Sequence, residues 1–317
     1  MVKKSLVIKA SVIIPTYNRA KVLEKCLERL KGQGAEILVV DDGSDDQTAK
    51  VVKKKGVRYF HQDHKGPAAA RNLAIKESRS EILIFINDDS MVDDKFVERH
   101  VNFHKKYKDL NRAVMGPFVT DPKIKRTMAM DWLEKESGFH FDINEIYDDK
   151  TVSWTCFWTC NVSVKKKFLV ENKIFFDTSF SVAAWEDYEF GYRCYKKGLK
   201  LYYKDEWVVY HWHRFSFEDL KVRFFNHGRG LYVLTKRMPK KFLPILAKGK
   251  YRFLARLCLG LTGIKYLASF WQGLIKNKKS NDRIYNLVMQ YLVIYWKIKG
   301  FDYESGLDIS RNKLGGV

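Results

Sequence analysis

The sequence predicts an α/β fold on a mixed, mainly parallel sheet, with a helical extension behind it. Two observations carry that prediction. Between residues 11 and about 107, short apolar runs alternate with amphipathic stretches of helical period, the pattern of βαβ units with right-handed crossovers. Three of the apolar runs stop abruptly in polar or acidic turns, at residues 16–19, 41–44 and 87–89. In a parallel sheet these turns share the edge where ligands gather.

Each element has its own signal. Ser11-Val12-Ile13-Ile14-Pro15 reads as a short buried strand. Val22, Leu23, Cys26, Leu27 and Leu30 recur at helical spacing and predict a helix over 20–31 with Asn18 as its cap. Glu36-Ile37-Leu38-Val39-Val40 is the second strand, running into Asp41-Asp42-Gly43-Ser44 and a helix that ends near Lys55. Residues 57–60 form a third strand and 67–78 the next helix. Ile82-Leu83-Ile84-Phe85-Ile86 is apolar without a break, as expected of a strand covered on both faces. It runs into Asn87-Asp88-Asp89, and a helix follows over about 94–107. Between 113 and 210 the rhythm loosens and aromatics accumulate (Trp132, Trp154, Phe157, Trp158, Trp185), most of them expected in the core. Residues 186–195 give a helical face of Tyr188, Gly191, Tyr192 and Tyr195, with Glu186 and Asp187 in its first turn, where the helix dipole favours acids. Residues 207–213 read as another strand, and His211 and His213, two apart, point the same way.

Composition narrows the function. A chain of 317 residues holds one large α/β domain, or one of about 200–250 residues plus an extension. The five cysteines are scattered and odd in number, which argues against a zinc site or a disulfide framework and for a reduced, cytosolic-facing chain. Leu6-Val7-Ile8 behind Lys3 and Lys4 is too short for a signal-peptide core. The formal charge of +21 calls for an anionic partner. No G-x-G-x-x-G follows the first strand and no Walker A lysine motif is present, so ordinary dinucleotide and P-loop sites are excluded.

Asp88 and Asp89 draw attention because neighbouring carboxylates repel unless a cation or proton lies between them. Hard oxygen ligands suit Mg²⁺ or Mn²⁺ shared with substrate phosphates. A solvated acidic turn is the plainer reading of such a pair taken alone.

Together the motifs carry a resemblance. Ile13-Ile14-Pro15-Thr16-Tyr17-Asn18-Arg19, Val39-Val40-Asp41-Asp42-Gly43-Ser44, Gly66-Pro67-Ala68-Ala69-Ala70-Arg71-Asn72 and Asn87-Asp88-Asp89 resemble the nucleotide-sugar half of the family-2 glycosyltransferases, in order and spacing as well as identity. The likeness covers roughly residues 10–235 and implies the GT-A fold. It also implies roles. Pro15 and Thr16 line the nucleobase and ribose pocket, with Asn18 and Arg19 at its rim. Asp42 accepts a hydrogen bond from the base, with Asp41 beside it in the motif. Arg71 meets the diphosphate or holds an acidic turn. Asp88 touches ribose or sugar hydroxyls, and Asp89 ligates Mn²⁺ or Mg²⁺. Asn87 stands where the commoner D-x-D form has its first carboxylate. Trp158-Thr159-Cys160-Asn161 resembles the segment lining the donor-sugar and acceptor pocket, with Asn161 the polar contact and Trp158 and Trp185 as aromatic walls. Glu186-Asp187 resembles the E-D motif, giving Asp187 as general base and Glu186 a place facing acceptor or donor hydroxyls. His211 resembles the histidine that completes the metal site, and His213 is a further candidate ligand.

Residues 236–299 carry fifteen Lys or Arg and one acid, Asp282. Three stretches there are amphipathic at helical spacing, around Arg252–Arg256, Lys265–Lys276 and Arg283–Lys297. Basic faces opposite Trp, Tyr and Leu are expected of helices lying in an anionic membrane interface. A helical subdomain packed on the catalytic domain is the plainer alternative. Residues 253–275 are long enough to span, but Arg256, Lys265 and the glycines oppose spanning. Nothing matches a nucleic-acid-binding motif.

The expected organisation is a nucleotide-sugar half over 1–120, an acceptor-binding and catalytic half of the same domain over 121–235, and a basic amphipathic extension over 236–317. The expected protein is an inverting, metal-dependent glycosyltransferase, peripheral on the cytoplasmic face of a membrane. It uses a UDP- or GDP-type donor and a lipid-linked or surface-glycan acceptor. A sugar nucleotidyltransferase would release pyrophosphate instead, and needs a glycine-rich basic loop after the first strand that Thr16-Tyr17-Asn18-Arg19 does not supply. A non-catalytic scaffold of the same fold would release no nucleoside diphosphate at all.

Overall fold

The structure, a computed structural model, describes residues 9–135, 151–261 and 283–306. In chain order the elements are β1 (Ser11–Thr16), α1 (Ala20–Leu30), β2 (Glu36–Asp41), α2 (Thr48–Lys55), β3 (Arg58–His61), α3 (Pro67–Glu77), β4 (Ile82–Ile86), β5 (Ser90–Met91) and α4 (Phe96–Lys106). Then come β6 (Arg112–Met115), β7 (Phe118–Thr120), α5 (Met128–Lys135), β8 (Thr151–Val152), β9 (Asn161–Lys165), α6 (Lys166–Glu171), α7 (Glu186–Lys196), β10 (Lys200–Tyr203) and β11 (Val209–His211). The last three helices among the described residues are α8 (Phe217–Arg237), α9 (Gly249–Leu261) and α10 (Arg283–Ser305).

The main sheet has the order β3-β2-β1-β4-β9-β6-β10-β8. Its first four strands are mutually parallel, and β9 runs antiparallel to both β4 and β6. Successive side chains on a strand face opposite ways, and here both faces are apolar. Ile13, Leu38, Leu83 and Phe85 bury against Ala70, Ala74 and Ile75 of α3. Val12, Ile14, Val39 and Ile84 bury against Leu23, Cys26 and Leu27 of α1. Pro15 sits in β1 without breaking the ladder, because β1 pairs with β4 only over Ser11–Ile13 and no N–H is required there. A second, small sheet has the order β5-β11-β7 and sets His211 opposite Ser90.

The expected cap of α1 is corrected. Asn18 lies in the left-handed region at φ 51, and Arg19 is the residue at the N-cap position, with no side-chain cap of its own. Asp46 of the second acidic turn accepts the Ala20 N–H at 2.9 Å and does the capping from a distance. Asn18 instead accepts the Asp45 N–H at 2.9 Å.

The chain divides into two compact units. One comprises Met1–Ile124, Phe141–Ser181 and Glu186–His213; the other comprises Lys125–His140, Val182–Trp185 and Arg214–Val317. Both sheets belong to the first. In the second, α8 starts at a capping box in which Ser216 and Asp219 exchange hydrogen bonds, and it runs against α10. Tyr285, Val288, Met289, Leu292, Val293 and Trp296 of α10 are buried and form its core face, while Leu287 is exposed. Lys297 is drawn into the same packing, and burial pushes its ammonium down to about 8. On α9, Phe253, Leu254 and Leu257 remain exposed. The stretch around Lys265–Lys276 lies outside the described residues.

Candidate active site

The three turns beyond the strand ends are stitched together by hydrogen bonds. The Thr16 hydroxyl donates to Asp88 at 2.8 Å, and the Asn18 N–H donates to the Ser44 hydroxyl at 2.8 Å. Gly43, at φ 90, takes the backbone conformation that an L side chain resists, and lets the second turn close.

The carboxylates at the end of β4 form the centre of this edge. Asp88 and Asp89 are nearly inaccessible, at 4% and 2% exposure. The Arg19 guanidinium spans them, with Nη1 2.9 Å from Asp88 and Nη2 2.7 Å from Asp89. Nη2 also lies 3.0 Å from Nδ1 of His213. Pairing of β5 with β11 brings Nε2 of His211 to 3.0 Å from the same Asp89 oxygen, Oδ2. The other Asp89 oxygen, Oδ1, is buried with no hydrogen-bond partner among the described residues. Burial pushes the Asp88 carboxyl up to about 7, with Asp89 adding and Arg19 opposing. Burial also acts to raise Asp89, but His211 and Arg19 outweigh it and hold that carboxyl well below the usual range. Among the described residues, ligand atoms of Asp89, His211 and His213 lie within 4.8 Å of one another and could hold one metal ion. A carboxylate grouped with two imidazoles fits a divalent cation with borderline preferences, Mn²⁺ better than Mg²⁺.

A second charged group opens α7. Arg71, buried in α3, donates from Nη1 to Glu186 at 2.8 Å. Of the two roles left open for Arg71, the structure shows the holding of an acidic turn. Glu186 is buried and engaged by that pair rather than presented toward hydroxyls. Asp187 is partly exposed and accepts the adjacent Tyr188 N–H at 2.8 Å. Burial pushes its carboxyl up to about 7, with Glu186 adding and Arg71 opposing. The buried Cys160 thiol, immediately before β9, links the two groups: burial raises it, and the charge of Asp187 and then of Asp89 adds to the rise.

Several expected contact residues are committed elsewhere. Asp41 accepts from the Ser44 N–H at 2.9 Å and the Tyr59 hydroxyl at 2.6 Å. Asp42 accepts from Gln62, Lys65 and Gly66, and so anchors the loop before α3 instead of facing outward. Asn161 is fully buried, its amide nitrogen donating to the carbonyls of Pro117 and Trp207, while its Oδ1 is buried with no hydrogen-bond partner among the described residues. Trp158 packs against both faces of the core. Trp185 belongs to the second unit and donates from its indole to the His227 carbonyl at 3.0 Å. The Asn87 N–H donates to the Ser90 hydroxyl at 3.1 Å, which shapes the turn into β5. The sequence reading missed Tyr17 and His64, whose rings lie 4.3 Å apart beside the second turn, with Tyr17 exposed. An aromatic directly after a strand end was the available signal for Tyr17; His64 had none.

Comparison with known proteins agrees with this geometry. The family described as Glycosyl transferase family 2 matches residues 11–168. An uncharacterized glycosyltransferase of Rickettsia felis is 38% identical over 115 residues, 34% of this chain but 18% of that protein, so the chain spans under a fifth of that relative's length. A chondroitin synthase of Pasteurella multocida is 26% identical over 77% of this chain and 30% of its own. Two solved structures share the fold. The S. aureus TarS 1–349 complex with UDP-GlcNAc has a TM-score of 0.55 at 17% identity, covering 95% of this chain and 91% of that one. The mannosyltransferase PcManGT of Pyrobaculum calidifontis, with GDP-Man and Mn²⁺, has a TM-score of 0.57 at 14% identity, covering 94% and 87%. Strand ends that converge on paired carboxylates, a GT-A arrangement of the sheet and the family match over residues 11–168 agree, and the chain belongs to the family-2 glycosyltransferases.

Proposed function

We propose that this chain is an inverting, metal-dependent glycosyltransferase that moves a sugar from a UDP- or GDP-type donor to a hydroxyl of a lipid-linked saccharide or surface-glycan precursor. The observation that carries the reading is the meeting of Asp89, His211 and His213, whose ligand atoms lie within 4.8 Å of one another, with Oδ1 of Asp89 buried and unpartnered among the described residues. These three side chains would hold Mn²⁺ or Mg²⁺, which when bound offsets charge on the departing nucleoside diphosphate. Tyr17 and His64 offer an aromatic face to a nucleobase. Asp187 takes the proton of the acceptor hydroxyl as its oxygen bonds to the anomeric carbon and the bond to the diphosphate oxygen breaks. A carboxyl pushed up to about 7 is matched to that task near neutral pH. Glu186, held by Arg71, fixes the start of α7 and thereby the position of Asp187.

A panel of UDP- and GDP-sugars with Mn²⁺ or Mg²⁺, scored for nucleoside diphosphate release and thermal shift, tests this. Asp89→Ala is expected to abolish the metal-dependent shift. Asp187→Ala is expected to keep nucleotide binding and lose transfer, and equal loss of both would remove Asp187 from the base role. Release of pyrophosphate would instead mark a nucleotidyltransferase.

We also propose attachment to the cytoplasmic face of a membrane as a peripheral protein. Phe253, Leu254 and Leu257 are exposed on α9, and Lys240, Lys241, Lys248 and Lys250 are exposed just before or at its start, a combination suited to an anionic lipid interface. No helix among the described residues is long and apolar enough to cross a membrane. The chain is expected to pellet with phosphatidylserine-containing vesicles at low salt, and the double substitution Phe253→Ser with Leu257→Ser is expected to abolish pelleting. Unchanged pelleting of that variant would dismiss α9 as the anchor.

A further inference from the structure

Arg19 occupies an unusual place in the site. Its Nη2 lies 2.7 Å from Asp89 Oδ2 and 3.0 Å from His213 Nδ1, on two of the three side chains whose ligand atoms are grouped there, while Nη1 holds Asp88 at 2.9 Å. A metal ion coordinates carboxylate and imidazole at little more than about 2 Å. At Asp89 Oδ2 or His213 Nδ1 it would compete with the guanidinium nitrogen for the same lone pairs. Because Nη2 donates, His213 presents its Nδ1 lone pair to it.

We propose that Arg19 is a tethered resident cation: it fills the metal position while the site is empty and yields it when a metal ion and a nucleoside diphosphate arrive together. This rests on the metal site of the proposed function. Two buried, adjacent carboxylates need a positive charge between them to stay ionised, and Arg19 supplies one from the N-terminal end of α1. Its side chain is 32% exposed, so it has solvent-facing room to move. Metal arriving alone must evict the guanidinium without giving it a new partner. Metal arriving with a diphosphate gives it one, since the guanidinium fork suits phosphate oxygens. Metal and nucleotide therefore bind with positive coupling, and by linkage each strengthens the other equally. The empty site is thereby guarded against loading with metal alone.

The test is titration of the full chain with Mn²⁺, followed by the electron paramagnetic resonance signal of the free ion, with and without UDP. It compares wild type, Arg19→Gln, Arg19→Lys and Asp89→Asn. Arg19→Gln is expected to bind Mn²⁺ alone on the order of tenfold more tightly than wild type, the gain from removing two charge-assisted contacts. It is also expected to lose most of the enhancement that UDP gives wild type. Arg19→Lys, a cation without the fork, is expected to fall between them. Without metal the melting temperature of Arg19→Gln is expected below that of wild type, and Mn²⁺ is expected to restore it, which separates the effect from misfolding. If Arg19→Gln binds Mn²⁺ no more tightly than wild type while Asp89→Asn loses binding, the metal site stands and the exchange role of Arg19 is overturned. If wild type binds no Mn²⁺ and Asp89→Asn matches it, the metal site itself fails and the exchange falls with it.

Discussion

The pair at the start of α7 gives the sharpest test of the chemistry, through the substitution Glu186→Gln. The amide keeps an oxygen able to accept from Arg71, so the shape of the turn is retained while one negative charge is lost. Burial is the first cause that raises Asp187 to about 7, and the Glu186 charge is the second. At an effective dielectric constant of about 20, neighbouring unit charges interact by a few kcal/mol, on the order of 4 at a separation of about 4 Å and less farther apart. Asp187 is partly exposed, and solvent screening reduces this to about one pH unit. The sign is fixed by the role. A carboxylate base works when deprotonated, so the rate rises with pH through its pKa, and Glu186→Gln is expected to move that limb down from near 7 to near 6. Arg71→Met is expected to move it up. It also leaves Glu186 buried without its cation, at a cost of about 3–5 kcal/mol in stability. The assay is the pH dependence of kcat/KM from initial rates of nucleoside diphosphate release, with thermal melts as folding controls. A limb that stays put or moves upward in well-folded Glu186→Gln would refute Asp187 as the titrating base.

Other expectations concern the scaffold. His100 and His104 of α4 both contact the Ser163 hydroxyl, at 2.8 and 2.9 Å. Burial pushes each imidazole down to about 3, with His104 further lowering His100 and Lys165 further lowering His104. The unfolded chain therefore binds more protons between about 3 and 6.5, so stability is whole above that window and falls as pH drops through it, by at most about 1.4 kcal/mol per pH unit for each histidine. Urea denaturation across the window is expected to show a shallower slope in His104→Leu, and an unchanged slope would assign the acid sensitivity elsewhere. Gly228→Ala puts a Cβ 1.9 Å from the Lys297 carbonyl oxygen and must push α8 and α10 apart. A loss of about 3 kcal/mol is expected by urea denaturation, while Gly249→Ala, with open space around it, is expected to be tolerated. Asp42→Ala unties the 62–66 loop and is expected to weaken nucleotide binding measured by calorimetry while leaving Mn²⁺ binding in place.

What was legible in the sequence follows the reach of each physical signal. An apolar run that stops in a carboxylate is a local pattern, so β1, β2 and β4 and the convergence of their turns could be read directly. The two residues of β5 and three of β7 are too short for any period to register, yet β5 is what carries Asp89 to His211. Asn18 was misread as a cap because capping preference is local, while the group that satisfies the Ala20 N–H, Asp46, comes from a turn 26 residues away. The same limit governs charge. Arg71 and Glu186 are 115 residues apart and Arg19 and Asp89 are 70 apart, and spacing along the chain says nothing about which carboxylate a long, flexible cation will choose. The choice is made by burial. Glu186 and Asp89 are each nearly sealed from water, and a sealed carboxylate needs a cation more than a solvated one does. By the same reasoning, the proposed exchange at Asp89 asks for a resident cation that is tethered, singly charged and close to solvent. Arg19 has all three properties, and each follows from its position at the first residue before α1.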